Sequence, residues 1–410
     1  MAKNYVDFRD AVALVFENGK ENSLSENVTL DMAYGRVLAE DIKCVKNLPS
    51  FNNSAMDGFA IKASDAGKEL VVLKSVYAGE RHEASLSEGE CYKIMTGAQV
   101  PSDVDTIIPI ENVESFKDNR VKIPATVKKG DALRLKGEEC ELGATLFSKG
   151  EEVTPSVIAV LASQGIMNIQ VKRPLSIAVV STGNELKEPW EVASEDEIYN
   201  CNSFAVISIL KEKGFEASYI KVIPDNLEDT VAFISELKSY DIIITSGGIS
   251  MGDADFVGRG FEANGLETLF DGVNIKPGRP IMMGKMDKTF VICLPGNPLT
   301  AMVNLYLFVI PALRKIQGHK NYYHNIELAK NSTDFKTKSG RVNVVLGTLQ
   351  EGVFSATRGN RYGSGMVSVM HESNAMLITD ESSSLFNELD SLKIIKLDGD
   401  YLSEEIVIFN

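Results

Sequence analysis

Cysteine is scarce in this chain, and its five thiols, Cys44, Cys91, Cys140, Cys201 and Cys293, are odd in number and never form a CxxC pair. That spacing excludes a disulfide-framed scaffold, gives no zinc signature and fits a reducing compartment. Histidine is scarcer still, with 4 in 410 residues and no HExxH, so that type of metallohydrolase is excluded as well. The opening Met1-Ala2-Lys3-Asn4-Tyr5 carries no apolar signal core. The reading is that no apolar stretch approaches the roughly 18–20 residues of a bilayer span. Positive charge is also short: 42 Lys and Arg stand against 57 Asp and Glu, a formal net charge of -15. Long-range repulsion then argues against nucleic acid and anionic membranes as partners. A cytoplasmic protein is expected.

What is present is ordinary for a folded chain, with 44% hydrophobic and 24% charged residues. Its length exceeds one core, so roughly two to four domains are expected. Phe8, Val12, Val15 and Phe16 fall at helical spacing before Gly19, and a second short helix is read near Leu30 to Ala39. From Leu48 to about Leu135 short β-like runs dominate, among them Leu70 to Val76, Cys91 to Met95, Thr106 to Ile110 and Arg120 to Ile123. A helix starts at Thr154-Pro155 and stops at Gly165.

From Arg173 to about Gln317 buried strands alternate with amphipathic helices. The apolar runs Leu175 to Val180, Tyr219 to Ile223 and Asp241 to Thr245 are separated by one helix with Phe204, Ile207 and Leu210 on a face and another with Leu227, Val231, Ile234 and Leu237. This pattern predicts a doubly wound α/β domain around a parallel sheet. After Lys320 the texture is β again, and a small C-terminal barrel or sandwich is expected.

Ligands of such sheets collect at the carboxyl ends of the strands. The loops there are Ser181-Thr182-Gly183-Asn184-Glu185, then Ser246-Gly247-Gly248-Ile249-Ser250 running on to Asp253 and Asp255, then Leu294-Pro295-Gly296-Asn297-Pro298. Adjacent glycines let backbone approach a ligand, and amides at a helix start favour anions, although a tight turn and an N-cap also explain these residues. Lys276-Pro277-Gly278-Arg279-Pro280 is a rigid loop holding two cations in an acidic protein, suited to a phosphate or other oxyanion. Glu185, Asp225 and Asp255 stand at successive strand ends. Beside those cations they suggest a divalent-metal and phosphate site, for which Mg2+ is the natural ion. No Walker A sequence and no GxGxxG opening a βαβ unit is present.

Two further segments lie outside this domain: Ser54-Ala55-Met56-Asp57-Gly58-Phe59-Ala60, and Met95-Thr96-Gly97-Ala98 ahead of Asp105-Thr106-Ile107-Ile108-Pro109. Together with Ser181–Leu186, Ser246–Gly252, Lys276–Pro280 and Leu294–Pro298, and in this order, they resemble the molybdopterin molybdenumtransferase family of MoeA type, which includes the gephyrin E domain. The resemblance covers nearly the whole chain. It implies an elongated N-terminal domain from 1–46 plus 138–172, an inserted β-rich domain over 47–137, a molybdopterin-binding, MogA-like α/β domain over 173–317 and a C-terminal β domain over 318–410.

The resemblance further implies a homodimer and a reaction that consumes adenylylated molybdopterin and molybdate, cleaves the pyrophosphate, releases AMP and leaves molybdenum on the dithiolene. On that reading Lys276 and Arg279 attract molybdate or substrate phosphates, while Glu185, Asp225 and Asp255 organise Mg2+. Asp57 and Thr96 approach from the partner subunit. Thr182, Gly183, Ser246, Gly247, Gly248, Ser250, Pro295, Gly296 and Asn297 line the pterin site, with Arg341 and Ser364 from the C-terminal domain. A molybdopterin adenylyltransferase and molybdoenzyme apoproteins are the implied transient partners. The alternatives are an adenylyltransferase on the same domain and a non-catalytic gephyrin-like scaffold. Asn184, Asn226, Arg279 and Gly365 depart from the common pattern, where Asp, Asp, Lys and His are frequent.

Overall fold

The computed structural model describes residues 5–81, 83–183, 185–223, 226–247 and 256–409. The chain divides into two compact units, one of Met1–Ala39, Lys149–Thr154 and Asn168–Asn410, the other of Glu40–Ser148 and Pro155–Met167.

The second unit is built on a six-stranded sheet in the order Thr106–Pro109, Gly58–Ile61, Glu90–Ile94, Glu69–Val76, Arg120–Lys122, Ser115–Lys117. Successive residues point to opposite faces, and both faces are packed. Ala60, Tyr92, Ile94 and Ile107 enter one cluster; Phe59, Ile61, Cys91 and Ile108 enter the other. That double burial explains why these strands read as continuous apolar runs. The helix Pro155–Gln164 opens on proline and is followed by left-handed Gly165, as its sequence signals require.

In the first unit, the helix Phe8–Asn18 buries Phe8, Ala11 and Val15. The short helix expected over 30–39 is not formed. A single 3-10 turn, Leu30–Met32, is followed by left-handed Gly35, and Val37 and Leu38 then join β-bridges to Glu152 and Val171.

The centre of this unit is a six-stranded sheet. Its strands are β1 (Ile177–Ser181), β2 (Ala217–Val222), β3 (Ile242–Ser246), β4 (Glu267–Asp271), β5 (Met282–Met286) and β6 (Thr289–Leu294), in the order β2-β1-β3-β6-β5-β4. β2, β1, β3 and β6 are parallel, whereas β5 runs against both neighbours. The apolar runs expected to form a parallel sheet do so, and the sheet becomes mixed only at β5, because the two-residue turn at Asp287-Lys288 can only join antiparallel strands.

Helices α1 (Asn202–Glu212), α2 (Leu227–Leu237), α3 (Phe256–Ala263) and α4 (Pro298–Gln317) cover both faces. Val179 and Ile244 pack with Val206 and Leu210 of α1 and Val303 of α4; Val180 and Ile243 pack with Phe233 of α2 and Phe261 of α3. The buried face of α1 is Ser203, Val206, Ile209 and Leu210, so Phe204, expected inside, is turned outward.

α4 overturns the expectation that no apolar stretch reaches bilayer-span length. It runs 20 residues at a mean hydropathy of 1.4, and 89% of its apolar window is buried within the protein. It has no polar stripe because it is packed all round, which makes it a core helix. Leu305–Val309 forms a π-turn within it, just before Pro311, which has no N–H for the Leu307 carbonyl. His324 Nε2 lies 3.4 Å from that carbonyl and takes the donor role.

The C-terminal strands are β7 (Glu327–Asn331), β8 (Val342–Gln350), β9 (Val353–Ala356), β10 (Ala375–Ile378) and β11 (Ser391–Lys396). They pair as β8-β9-β7-β11-β10, and β10 returns to β8, which closes a barrel. Val345, Leu349, Phe354, Leu377 and Ile394 fill it.

Candidate functional site

The order of strands reverses between β1 and β3, since β2 lies to one side of β1 and β3 to the other. Open α/β sheets bind ligands in the crevice at such a switch point. Three strand ends converge there. Thr182 N donates to Ser246 O at 3.2 Å, Gly247 N donates to Leu294 O at 3.0 Å, and a Cβ on Gly296 would stand 3.8 Å from Gly247 Cα. Gly247 is left-handed (φ 85°), and a Cβ there would lie 2.8 Å from Thr182 Oγ1, so no side chain fits. The floor is thus main chain, open to a close-approaching ligand.

Asn297 precedes Pro298, the first residue of α4, but its side chain makes no capping bond. It donates to Ser364 Oγ at 3.2 Å instead, which ties the barrel unit's Tyr362-Gly363-Ser364 loop to the rim. The first amides of α4 are consequently left to a ligand, and a helix start favours an anion. Asn202 Nδ2, at the start of α1, donates to Gly296 O at 2.8 Å. Glu185 is exposed, with its carboxylate turned back over the loop: a Cβ on Gly183 would meet Glu185 Oε1 at 2.7 Å. Beneath them Thr245 Oγ1 and Ser246 Oγ are buried with no hydrogen-bond partner among the described residues.

The structure therefore gathers Thr182, Gly183, Glu185, Ser246, Gly247, Pro295, Gly296, Asn297 and Ser364 around one crevice. Asn184, Asp225, Gly248, Ser250 and Asp255 lie outside the described residues. Of the expected Mg2+ ligands only Glu185 is described, and no group of three or more His, Cys, Asp and Glu able to hold a metal occurs among the described residues.

Lys276 and Arg279 belong to a second cluster further along α4. Ile275–Lys276 pairs parallel with β8, so Lys276 lies opposite Asn343, two residues past Arg341. Gly278 has φ 124°, and a Cβ there would meet Asn304 Oδ1 at 2.6 Å. Buried Asn304 donates its Nδ2 to Gly278 O at 3.0 Å, which fixes the loop between its two cations. Arg279 lies over the Tyr5 ring, 4.6 Å from its centroid. Asn304 is seven residues past Asn297 on α4, so this cluster stands roughly 10 Å along the helix from the crevice rim.

Thr300 and Asn304 were not found by sequence reasoning. They sit one turn apart on the same face of α4, and Thr300 Oγ1 and Asn304 Oδ1 are both buried with no partner among the described residues, as is Arg341 Nε. A polar i, i+4 pair within the otherwise apolar stretch from Leu299 to Leu313 is costly unless it is used, but the spacing marks a face only once that stretch is known to be one helix.

Asp57 and Thr96 form a third arrangement in the other unit. Thr96 donates both its N–H (2.7 Å) and its Oγ1 hydroxyl (2.8 Å) to Asp57 Oδ1. These two bonds, backbone first, hold the carboxyl below its ordinary range, with Lys93 adding to the effect. The pair is exposed, ionised and fixed in orientation.

Comparison with known proteins accounts for both units. Residues 6–165 match the family model described as MoeA N-terminal region (domain I and II), and residues 178–315 match the one described as probable molybdopterin binding domain. The molybdopterin molybdenumtransferase of Haemophilus influenzae is 32% identical over 364 residues, 87% of this chain and 90% of the relative. That of Staphylococcus epidermidis is 30% identical over 393 residues, 93% of each chain. The crystal structure of the molybdopterin biosynthesis MoeA protein from Pyrococcus horikoshii OT3 superposes with a TM-score of 0.83 at 28% identity, covering 96% of this chain and all of that one. The chain belongs to the MoeA-type molybdopterin molybdenumtransferase family, the transferases that insert molybdenum during molybdenum cofactor biosynthesis.

Proposed function

We propose that the chain inserts molybdenum from molybdate into adenylylated molybdopterin, with cleavage of the pyrophosphate and release of AMP. The observation that carries this is the pair of anion-binding places on a single helix: the uncapped start of α4 at the crevice, and the Lys276–Arg279 loop pinned to Asn304. One suits the phosphates of a pterin nucleotide through backbone amides, the other a compact tetrahedral oxyanion through point charges and a guanidinium fork. Arg341, entering β8 beside Lys276, adds a cation to the second place. Holding both anions on one rigid element puts oxyanion and dithiolene within reach of each other without paying for a domain motion.

Mg2+ suits the first place, because that ion takes one or two carboxylates and completes its shell with phosphate oxygens and water. Glu185, which makes no ion pair among the described residues, would hold it together with Asp225 and Asp255. When bound, the ion neutralises charge on the pyrophosphate. The Thr182-Gly183 main chain orients the phosphates, and the Gly247 and Gly296 backbone lets them approach. The proposed assembly is a homodimer in which Asp57 and Thr96 of each copy serve the site of the other. Support for this lies in the Asp57–Thr96 pair, preset and exposed. The proposed setting is the cytoplasm, where a molybdopterin adenylyltransferase supplies the substrate and molybdoenzyme apoproteins take the product.

The test is to incubate purified protein with adenylylated molybdopterin, Mg2+ and molybdate. AMP release together with activation of a molybdenum-free apoenzyme is expected. Formation of the adenylylated pterin from ATP would assign the adenylyltransferase step instead, and binding without turnover would leave a scaffold.

A further inference from the structure

We propose that Trp190, backed by Phe204, is the ledge on which the flat nitrogen heterocycle of the substrate stacks. The substrate then lies with its ring at the α1 end of the crevice and its phosphates at the start of α4. The proposal rests on the function proposed above and adds the direction in which the substrate lies.

Trp190 is the sole tryptophan of the chain, and 71% of it is exposed. A single exposed side chain says little, but an exposed aromatic row marks a surface that can bind. Its ring stands edge-on to Phe204 at a centroid distance of 6.2 Å, and Phe204, 40% exposed, in turn lies 6.1 Å from Tyr219. The turn that bears Trp190 is a continuation of the crevice loop: Leu186 N donates to Gly183 O at 3.2 Å, Ile198 N donates to Glu185 O at 2.9 Å, and Leu186-Lys187 pairs with Ile198-Tyr199 three residues before the indole.

The turn that carries Trp190 is fixed. Glu188 N donates to Glu191 Oε2 at 2.7 Å, and Glu191 N donates to Glu188 O at 2.9 Å. The Tyr219 hydroxyl donates to the Glu188 carboxylate and accepts from Asn200 Nδ2 at 3.1 Å. The indole is therefore presented on a braced turn, with a phenyl ring behind it.

Charge decides which part of the substrate belongs there. The turn from Lys187 to Glu197 contains Glu188, Glu191, Glu195, Asp196 and Glu197, against Lys187 as its only cation. Phosphate is repelled from such a loop, whereas an uncharged ring is not, and aromatic faces bind heterocycles by offset stacking. The amides that suit the phosphates are at the start of α4. Adenine and pterin share the chemistry that fits the ledge.

Because Trp190 is the only indole, intrinsic fluorescence of the intact protein reports on this position alone. We expect saturable quenching by AMP or by 6-hydroxymethylpterin, the effective one identifying the ring, and none by inorganic pyrophosphate. Trp190→Ala should raise KM for adenylylated molybdopterin roughly tenfold with kcat unchanged, and Trp190→Phe should stay within about twofold of wild type. No quenching by either ring, or an unaltered KM in Trp190→Ala, would overturn the ledge. So would emission that shifts with protein concentration and ignores both rings, since a second copy would then cover Trp190. Quenching in a protein that transfers no molybdenum would sink the proposed function and leave the ledge; transfer undisturbed by Trp190→Ala would do the reverse.

Discussion

Asp57 takes both its hydrogen bonds from one residue, and neither bond buries it. The donors favour its ionised form, but solvent screens that gain at an exposed group, and what they mainly fix is where its free oxygen points. Asp57→Asn should therefore reduce AMP release by roughly a hundredfold or more, the scale on which misplaced catalytic groups fail, and leave the thermal melt at the wild-type temperature. Thr96→Val keeps the backbone donor and loses the hydroxyl, so a smaller loss, about tenfold, is expected from one hydrogen bond to a charged group. Full activity in both variants would remove the pair from the site. Asn304 poses the opposite case. Asn304→Leu strands the buried Gly278 carbonyl, a cost of about 1–3 kcal/mol. It should also raise KM for molybdate well beyond KM for the pterin nucleotide, because the loop it releases carries the cations. Equal rises in both constants would make Asn304 a general core residue.

Among the elements, α4 joins the most functions and was the least legible from sequence. Its start was readable, because Pro-Gly-Asn-Pro punctuates a strand end in physically specific ways. Its length was not, since a helix packed on every side lacks the period that marks a surface helix. β1 and β3 were legible as continuous apolar runs, but the reversal of β5 depends on a tight turn with no glycine to mark it. Phe204 was misplaced because α1 offers two apolar stripes and only packing selects between them. The strand-end loops could be read because glycine and proline have few structural uses; Trp190, Thr300 and Asn304 carry no such mark. α4 also sets a pH response. Burial, opposed by the Leu307 and Tyr306 carbonyls, lowers His324 to about 4, and burial with Arg314 nearby lowers His319 to about 3. Both are neutral in the folded protein near pH 7. Below their ordinary value of 6.5 the unfolded chain takes up protons that the folded one refuses. Stability is thus fully present above about pH 6.5 and declines toward pH 4, by about 1.4 kcal/mol per pH unit for each histidine at full slope. Urea midpoints measured between pH 7.5 and 4.5 should show that decline, and His324→Gln should make it shallower. An unchanged slope would mean that His324 is protonated in the fold.

At the scale of the whole molecule, the question is where the fixed charges of one site come from. A net charge of -15 makes the molecule repel the anions it is proposed to use, so binding needs local cations and helix-start amides in close array. Lys276 is in one compact unit and Asp57 in the other. In the proposed homodimer each site takes Lys276 from one copy and Asp57 from its partner, and this has a consequence that a site within one chain lacks. Suppose that Asp57→Asn and Lys276→Ala chains, each inactive alone, are co-expressed with different tags and the mixed dimer is isolated. With sites shared across a two-fold axis, one site of that dimer collects both lesions and the other collects neither, so about half of the wild-type turnover per dimer returns. With sites complete within a chain, every site of the mixed dimer carries one lesion and no turnover returns. AMP release by the doubly purified mixed dimer, set against each parent homodimer, decides between the two.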